Sequence, residues 1–212
     1  MNMTFNIKKY LILSFFLVFG SVSAPTYSVD LPAEGARDLI KFAAETVISY
    51  AKTNRTALQE DPTDLYITVN EIISPHVDFP RVARWILGKH WRKASQEQRL
   101  VFQDEFRKLL IRTYAKALLK VSDEKLIYPP LKGSVKNGKY TVRSALVLPD
   151  GRKFTVQYRM HNKDQSWKIY DISVEGVSLV STYRSSFATE IRKVGLDGLL
   201  DNLVSKNEGF NI

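Results

Sequence analysis

The residue types that do covalent or proton chemistry are few in this chain and badly placed for it. His76, His90 and His161 fall in separate segments and make no metal-ligand spacing. There is no cysteine, which removes a thiolate nucleophile, a disulfide framework and a cysteine metal site. No G-x-S-x-G elbow, P-loop or G-x-G-x-x-G run occurs, and Ser185 and Ser186 have no base that the sequence identifies. Asp171 and Glu175 are close enough in sequence to act as an acid–base pair, but an aspartate at a strand end more commonly accepts local hydrogen bonds. What the chain has in quantity is apolar surface. Eleven Phe, ten Tyr and three Trp supply large rigid side chains, suited to a core or to a pocket for hydrocarbon.

These residues sit on elements that the sequence marks clearly. Leu39, Phe42, Ala43, Thr46, Val47 and Tyr50 predict one face of a helix over 33–52, ended by Thr53-Asn54. Asp61-Pro62 opens a second helix carrying Leu65, Val69 and Ile72, which Ser74-Pro75 closes. Asp78 is an N-cap for a third, with Pro80 in its first turn and Gly88 near its end. Ser95 and Gln98 form a capping-box pair ahead of the longest helix. Its apolar stripe is wide: Phe102, Phe106, Leu109, Leu110, Thr113, Tyr114, Ala117, Leu118 and Val121.

After Asp123 the period changes from helical to two. Leu126–Lys132 reads as a first strand, confined to an edge or bulge by Pro129-Pro130. Asn137-Gly138 and Asp150-Gly151 are hairpin signals flanking Lys139–Leu148, and Asn162-Lys163-Asp164 is a third turn. Along the strands Tyr140, Val142, Ser144, Leu146 and Leu148 share one side, as do Phe154, Val156, Tyr158 and Met160. Trp167–Val174 completes a meander of four antiparallel strands. Ser178 then caps a helix with Val180, Tyr183, Phe187, Ile191 and Val194 at three-and-four spacing. Gly195 ends it, before a short helix with Leu196, Leu199, Leu200 and Leu203. Helices over 33–121, a sheet over 126–174 and helices over 178–206 place the chain in the α+β class, as one domain over 24–212.

Residues 1–23 differ in kind. Lys8 and Lys9 precede an apolar run from Tyr10 to Phe19, followed by small residues, the pattern of an export signal cleaved after Ser23 or Ala24. No cysteine stands there for a lipid anchor, so the expected product is a soluble exported protein. Of its 212 residues 44% are hydrophobic and 25% charged, enough for a sizeable core and too balanced for disorder. The net charge is +9, or +7 without Lys8 and Lys9, which suits anionic partners; nucleic acid is not expected outside the cytoplasm.

Two long segments carry a family resemblance. WKIYDISVEGVSLVSTYRSSF, from Trp167 to Phe187, and FPRVARWILGKHWRKASQEQRLVFQDEFRKLLIRTYAKAL, from Phe79 to Leu118, resemble the MlaC, or toluene-tolerance Ttg2, family. With the strands between them the resemblance spans roughly 31–207. It implies a periplasmic phospholipid carrier with an NTF2-like, cone-shaped sheet covered by helices. It further implies exchange of lipid between an outer-membrane lipoprotein and porin complex and an MCE-domain protein of an inner-membrane ABC transporter. Such a carrier needs no cofactor and no catalytic residue. On this reading Leu146, Leu148, Val156, Tyr158 and Ile169 form the sheet wall of a pocket. Phe106, Leu109, Tyr114, Tyr183 and Phe187 form the helical wall, and Arg184 is the candidate for a phosphate at the mouth. Two alternatives stay open: an NTF2-like enzyme using Asp171 and His161, and an adaptor whose core is filled.

Overall fold

The computed structural model describes residues 31–119, 124–210 and 212. The export signal, the start of the domain and Val121 of the helical stripe therefore lie outside the described residues. The elements are α1 (Ala33–Thr53), α2 (Arg55–Glu60), α3 (Thr63–Ile73), α4 (Phe79–Leu87), α5 (Lys89–Lys93) and α6 (Gln96–Leu118). There follow β1 (Lys125–Ile127), β2 (Lys139–Val147), β3 (Lys153–Lys163), β4 (Ser166–Val174), β5 (Val177–Ser178) and α7 (Leu179–Lys206). The class is α+β, with an antiparallel sheet in the order β1-β2-β3-β4-β5.

The caps form as the local chemistry dictates. Asp78 accepts from the Arg81 amide at 3.2 Å, and Ser178 from the Ser181 amide at 3.1 Å. Ser95 and Gln98 exchange both capping-box bonds, at 3.1 and 2.8 Å. The two short helices α2 and α5 and the two-residue strand β5 go beyond the predicted elements. At Asn54 the chain bends without leaving helical geometry for long, so α1 ends where expected and α2 follows at once. The first strand is three residues, not seven, because Tyr128 onward has no pairing partner on β2 and Pro129-Pro130 remove two donors. Asn137-Gly138 forms its two-residue turn with both residues at positive φ, closing a bridge between Lys136 and Lys139. The β3–β4 turn is Asp164-Gln165, two residues later than the turn chemistry indicated, and β3 runs on to Lys163.

Two deviations matter for the site. First, α1 is rotated from the predicted face: Ala36, Ile40, Ala43, Val47 and Ala51 are buried while Phe42 is 64% exposed. Small residues on the inner side let the helix lie close on the sheet, and Trp167 fixes its start, its indole donating to the Pro32 carbonyl at 3.2 Å. Second, the β3–β4 ladder slips between Arg159 and Met160, where Tyr170 is the extra residue on β4. Such a bulge bends a strand and re-aims its side chains. Here Ile169 and Ile172 fall on the α1 side of the sheet, and both Tyr170 and Asp171 are buried.

Three apolar clusters result. Residues of α4, α6 and α7 form one around Phe102, Phe106, Phe187 and Leu199. The second half of α1 packs with α3 and α6 around Leu65, Val69 and Ile111. The first half of α1 covers Tyr140, Val142, Met160, Trp167 and Ile169 on the sheet. Helix α6 belongs to the first two clusters, which is why its stripe had to be wide.

Candidate functional site

One sheet face changes character along its length. Under α1, Tyr140, Val142, Met160, Trp167 and Ile169 are between 0% and 7% exposed. Further along the same face, Leu146, Phe154, Val156, Tyr158 and Ile172 are only half-buried, and Val174 is 40% exposed. Register proves that these share a side, since Leu146 pairs with Phe154, Tyr158 with Ile172 and Val156 with Val174. Leu148 continues the row just beyond β2 and is also half-buried. A contiguous apolar surface that packing leaves partly open is a candidate for binding, because a filled core would cover it.

The helical candidates gather elsewhere. Phe106, Leu109 and Phe187 are buried together, with Tyr183 half-buried against them. Phe106 meets Tyr183 and Phe187 edge-on, at centroid distances of 5.0 and 6.0 Å. Tyr114 is 43% exposed, yet its hydroxyl reaches Tyr183. Burial holds the Tyr183 phenol above its ordinary value, and the hydrogen bond with Tyr114 adds to that shift. Arg184 is exposed and lies over Gly88, whose positive φ of 54° ends α4. Ile169 belongs to the sheet cluster beneath α1 rather than to the aromatic cluster. The ten apolar candidates thus occupy two neighbourhoods, one on the sheet and one on α6 and α7.

The far side of the sheet holds the polar residues that an enzyme would have needed, and they are committed to structure. His161 Nε2 lies 2.9 Å from Asp78 Oδ2, and Arg81 donates to Nδ1 at 3.2 Å. With an arginine on one nitrogen and a carboxylate on the other, the ring is the neutral Nε2–H tautomer. Burial and then Arg81 push its pKa down, against the pull of Asp78. Asp171 accepts from Ser178 Oγ at 2.8 Å and from the Val180 amide at 3.2 Å, and Arg159 stands at 3.5 Å. That is the local hydrogen-bonding role expected of an aspartate at a strand end, here tying α7 to β4. Arg81 and Arg159 both lie over the Tyr170 ring, at 4.8 and 5.3 Å.

Two cavities, of about 410 and 340 Å³, also lie away from the half-open face. They share Lys132, Tyr140, Thr141 and Arg143, beside the 129–136 segment. Among the described residues no group of three His, Asp or Glu could hold a metal, and no helix is long and apolar enough to cross a membrane.

Sequence reasoning missed Phe154, Ile172 and Val174 as open positions, since alternation reports a face and not how far a helix covers it.

Relatives of known description agree with an apolar ligand. The toluene tolerance protein ttg2D of Pseudomonas putida is 27% identical over 167 residues, 78% of this chain and 77% of that one. The intermembrane phospholipid transport system binding protein MlaC of Haemophilus influenzae is 27% identical over 168 residues, 78% of each chain. A phospholipid-binding protein from Ralstonia solanacearum, solved in complex with a phospholipid, superposes with a TM-score of 0.73 at 31% identity. That match covers 82% of this chain and 97% of the other. The family described as MlaC protein matches residues 41–205, most of the described fold, and the chain belongs to the MlaC family.

Proposed function

We propose that this protein is a phospholipid carrier that holds acyl chains against the half-open end of its sheet. The exposure gradient along that face carries the reading: a surface of Leu146, Leu148, Phe154, Val156 and Val174 left partly uncovered invites hydrocarbon. A lipid with about 30 acyl methylenes, at about 0.8 kcal/mol each, cannot stand free in water, so a carrier must enclose most of them. The members of the MlaC family are lipid carriers and not catalysts, and the far-side bonds of His161 and Asp171 suit structural roles.

In this reading Leu146, Leu148, Val156, Tyr158 and Ile169 line the sheet side. Phe106, Leu109, Tyr114, Tyr183 and Phe187 line the side of α6 and α7, where Phe106, Leu109 and Phe187 now pack together in one cluster. Arg184 stays in water, where a guanidinium can meet the lipid phosphate. The protein then works in the periplasm, taking lipid from or giving it to complexes in both membranes: a lipoprotein and porin assembly outside, an MCE-domain protein of an ABC transporter inside. No cofactor enters this cycle; the phospholipid is cargo. Native mass spectrometry of protein purified without detergent tests the central claim. The expected result is a mass increment of one or more phospholipids. Bare polypeptide alone, under conditions that preserve a control lipid complex, would overturn it.

A further inference from the structure

One polar residue interrupts the apolar face. Ser144 stands between Val142 and Leu146 on β2, opposite Val156, and is 1% exposed. Its hydroxyl makes no well-formed hydrogen bond with any described residue, and neither does the buried hydroxyl of Tyr128. Buried polar groups are nearly always paired, so two orphans in one neighbourhood call for a reason. A third hydroxyl joins them: Tyr158, diagonal to Ser144 across the β2–β3 ladder, reaches toward Ser144 and lies near Tyr128. The three come from β2, β3 and the segment after β1. They sit where the sheet face passes from covered, at Val142, to half-open, at Leu146 and Val156.

We propose that Ser144, Tyr158 and Tyr128 form a hydroxyl site that receives an ester carbonyl of the bound lipid; this rests on the carrier reading above. An ester carbonyl is a neutral group that only accepts, and the site offers neutral O–H donors. Burial raises both phenols above their ordinary values, so they remain protonated donors at any physiological pH. A phosphate fits poorly, because none of the three is a cation and the Glu45 carboxylate lies near Tyr128. Hydrocarbon alone would leave the hydroxyls unpaired. The site therefore sets the depth of the lipid: tails on the apolar face, ester at the hydroxyls, phosphate outside.

The test compares a diacyl phosphatidylethanolamine with its dialkyl-ether counterpart of matching chains, which keeps everything but the ester carbonyl. Full-length mature protein is equilibrated with vesicles holding both lipids equally, and native mass spectrometry reads the ester-to-ether occupancy ratio. Wild type is expected to favour the ester by about fivefold over Tyr128→Phe and over Ser144→Ala, the equivalent of about 1 kcal/mol for one hydrogen bond. Reading the ratio against the variants cancels intrinsic differences between the lipids. Ser144→Ala removes one hydroxyl, whose only neighbouring partner among the described residues is Tyr158, and should fold normally; should Tyr128→Phe fail to fold, Tyr158→Phe replaces it. A ratio that is the same in wild type and Ser144→Ala, Tyr128→Phe or Tyr158→Phe overturns the hydroxyl site while leaving the carrier reading intact. Failure to take up either lipid overturns both.

Discussion

Val142 and Val156 offer a sharp test, because they face the same side of the sheet at opposite ends of its exposure gradient. Val142 is 1% exposed beneath α1, whereas Val156 is half-buried and pairs with the exposed Val174. A Val142→Asp change buries an unpaired carboxylate and should destabilise the fold by about 3–5 kcal/mol, a large part of a domain's whole stability. Val156→Asp keeps its carboxylate in partial contact with water, so its folding cost should be about 1–2 kcal/mol, below the ~1.5–3 kcal/mol of a fully buried valine. The charge should nevertheless exclude hydrocarbon around it. Losing contact for about four methylenes, at ~0.8 kcal/mol each, amounts to ~3 kcal/mol, or roughly a hundredfold weaker lipid retention. Thermal unfolding and native mass spectrometry of both variants separate the effects. A folded Val156→Asp protein carrying wild-type amounts of lipid would refute the assignment of this face, as would equal destabilisation by the two substitutions.

The remaining predictions concern the scaffold. His161 is held neutral, its pKa below the ordinary value through burial and Arg81, with Asp78 and Lys163 also facing it. Between that lowered value and the unfolded value of about 6.5 the unfolded chain binds more protons than the native one. Stability therefore rises with pH there and is lost as pH falls below about 6.5. His76 and His90, also lowered, act in the same direction. His161→Gln should accordingly flatten, without abolishing, the fall in melting temperature between pH 7.5 and 5.5; an unchanged slope would show that the ring does not titrate as described. Gly195 has φ 78° and ψ 177°, a region that only glycine enters freely, and a Cβ there would meet nothing within 4 Å. Gly195→Ala should cost about 1–3 kcal/mol in chemical denaturation through backbone strain alone; a neutral result would mean that the break in α7 relaxes.

Much of this molecule was legible in its residues, wherever the information was local. The capping box of Ser95 and Gln98, the caps at Asp78 and Ser178, the Asn137-Gly138 turn and the Gly195 break each depend on side chains or φ values within a few positions. Alternation likewise put Val142, Leu146, Val156 and Tyr158 on common faces of their strands, because a strand's period is two. Tertiary packing decided the rest. An apolar stripe as broad as that of α1 has several faces it could bury. Only contact with the sheet selected the one with Ala36 and Ala43 and left Phe42 in water. The split of Phe106 and Ile169 into separate clusters, the Tyr170 bulge and the pairing of His161 with Asp78 all join residues far apart in the chain. Spacing carries no record of such contacts, because they arise only when elements settle against each other and the best-packed arrangement excludes its rivals.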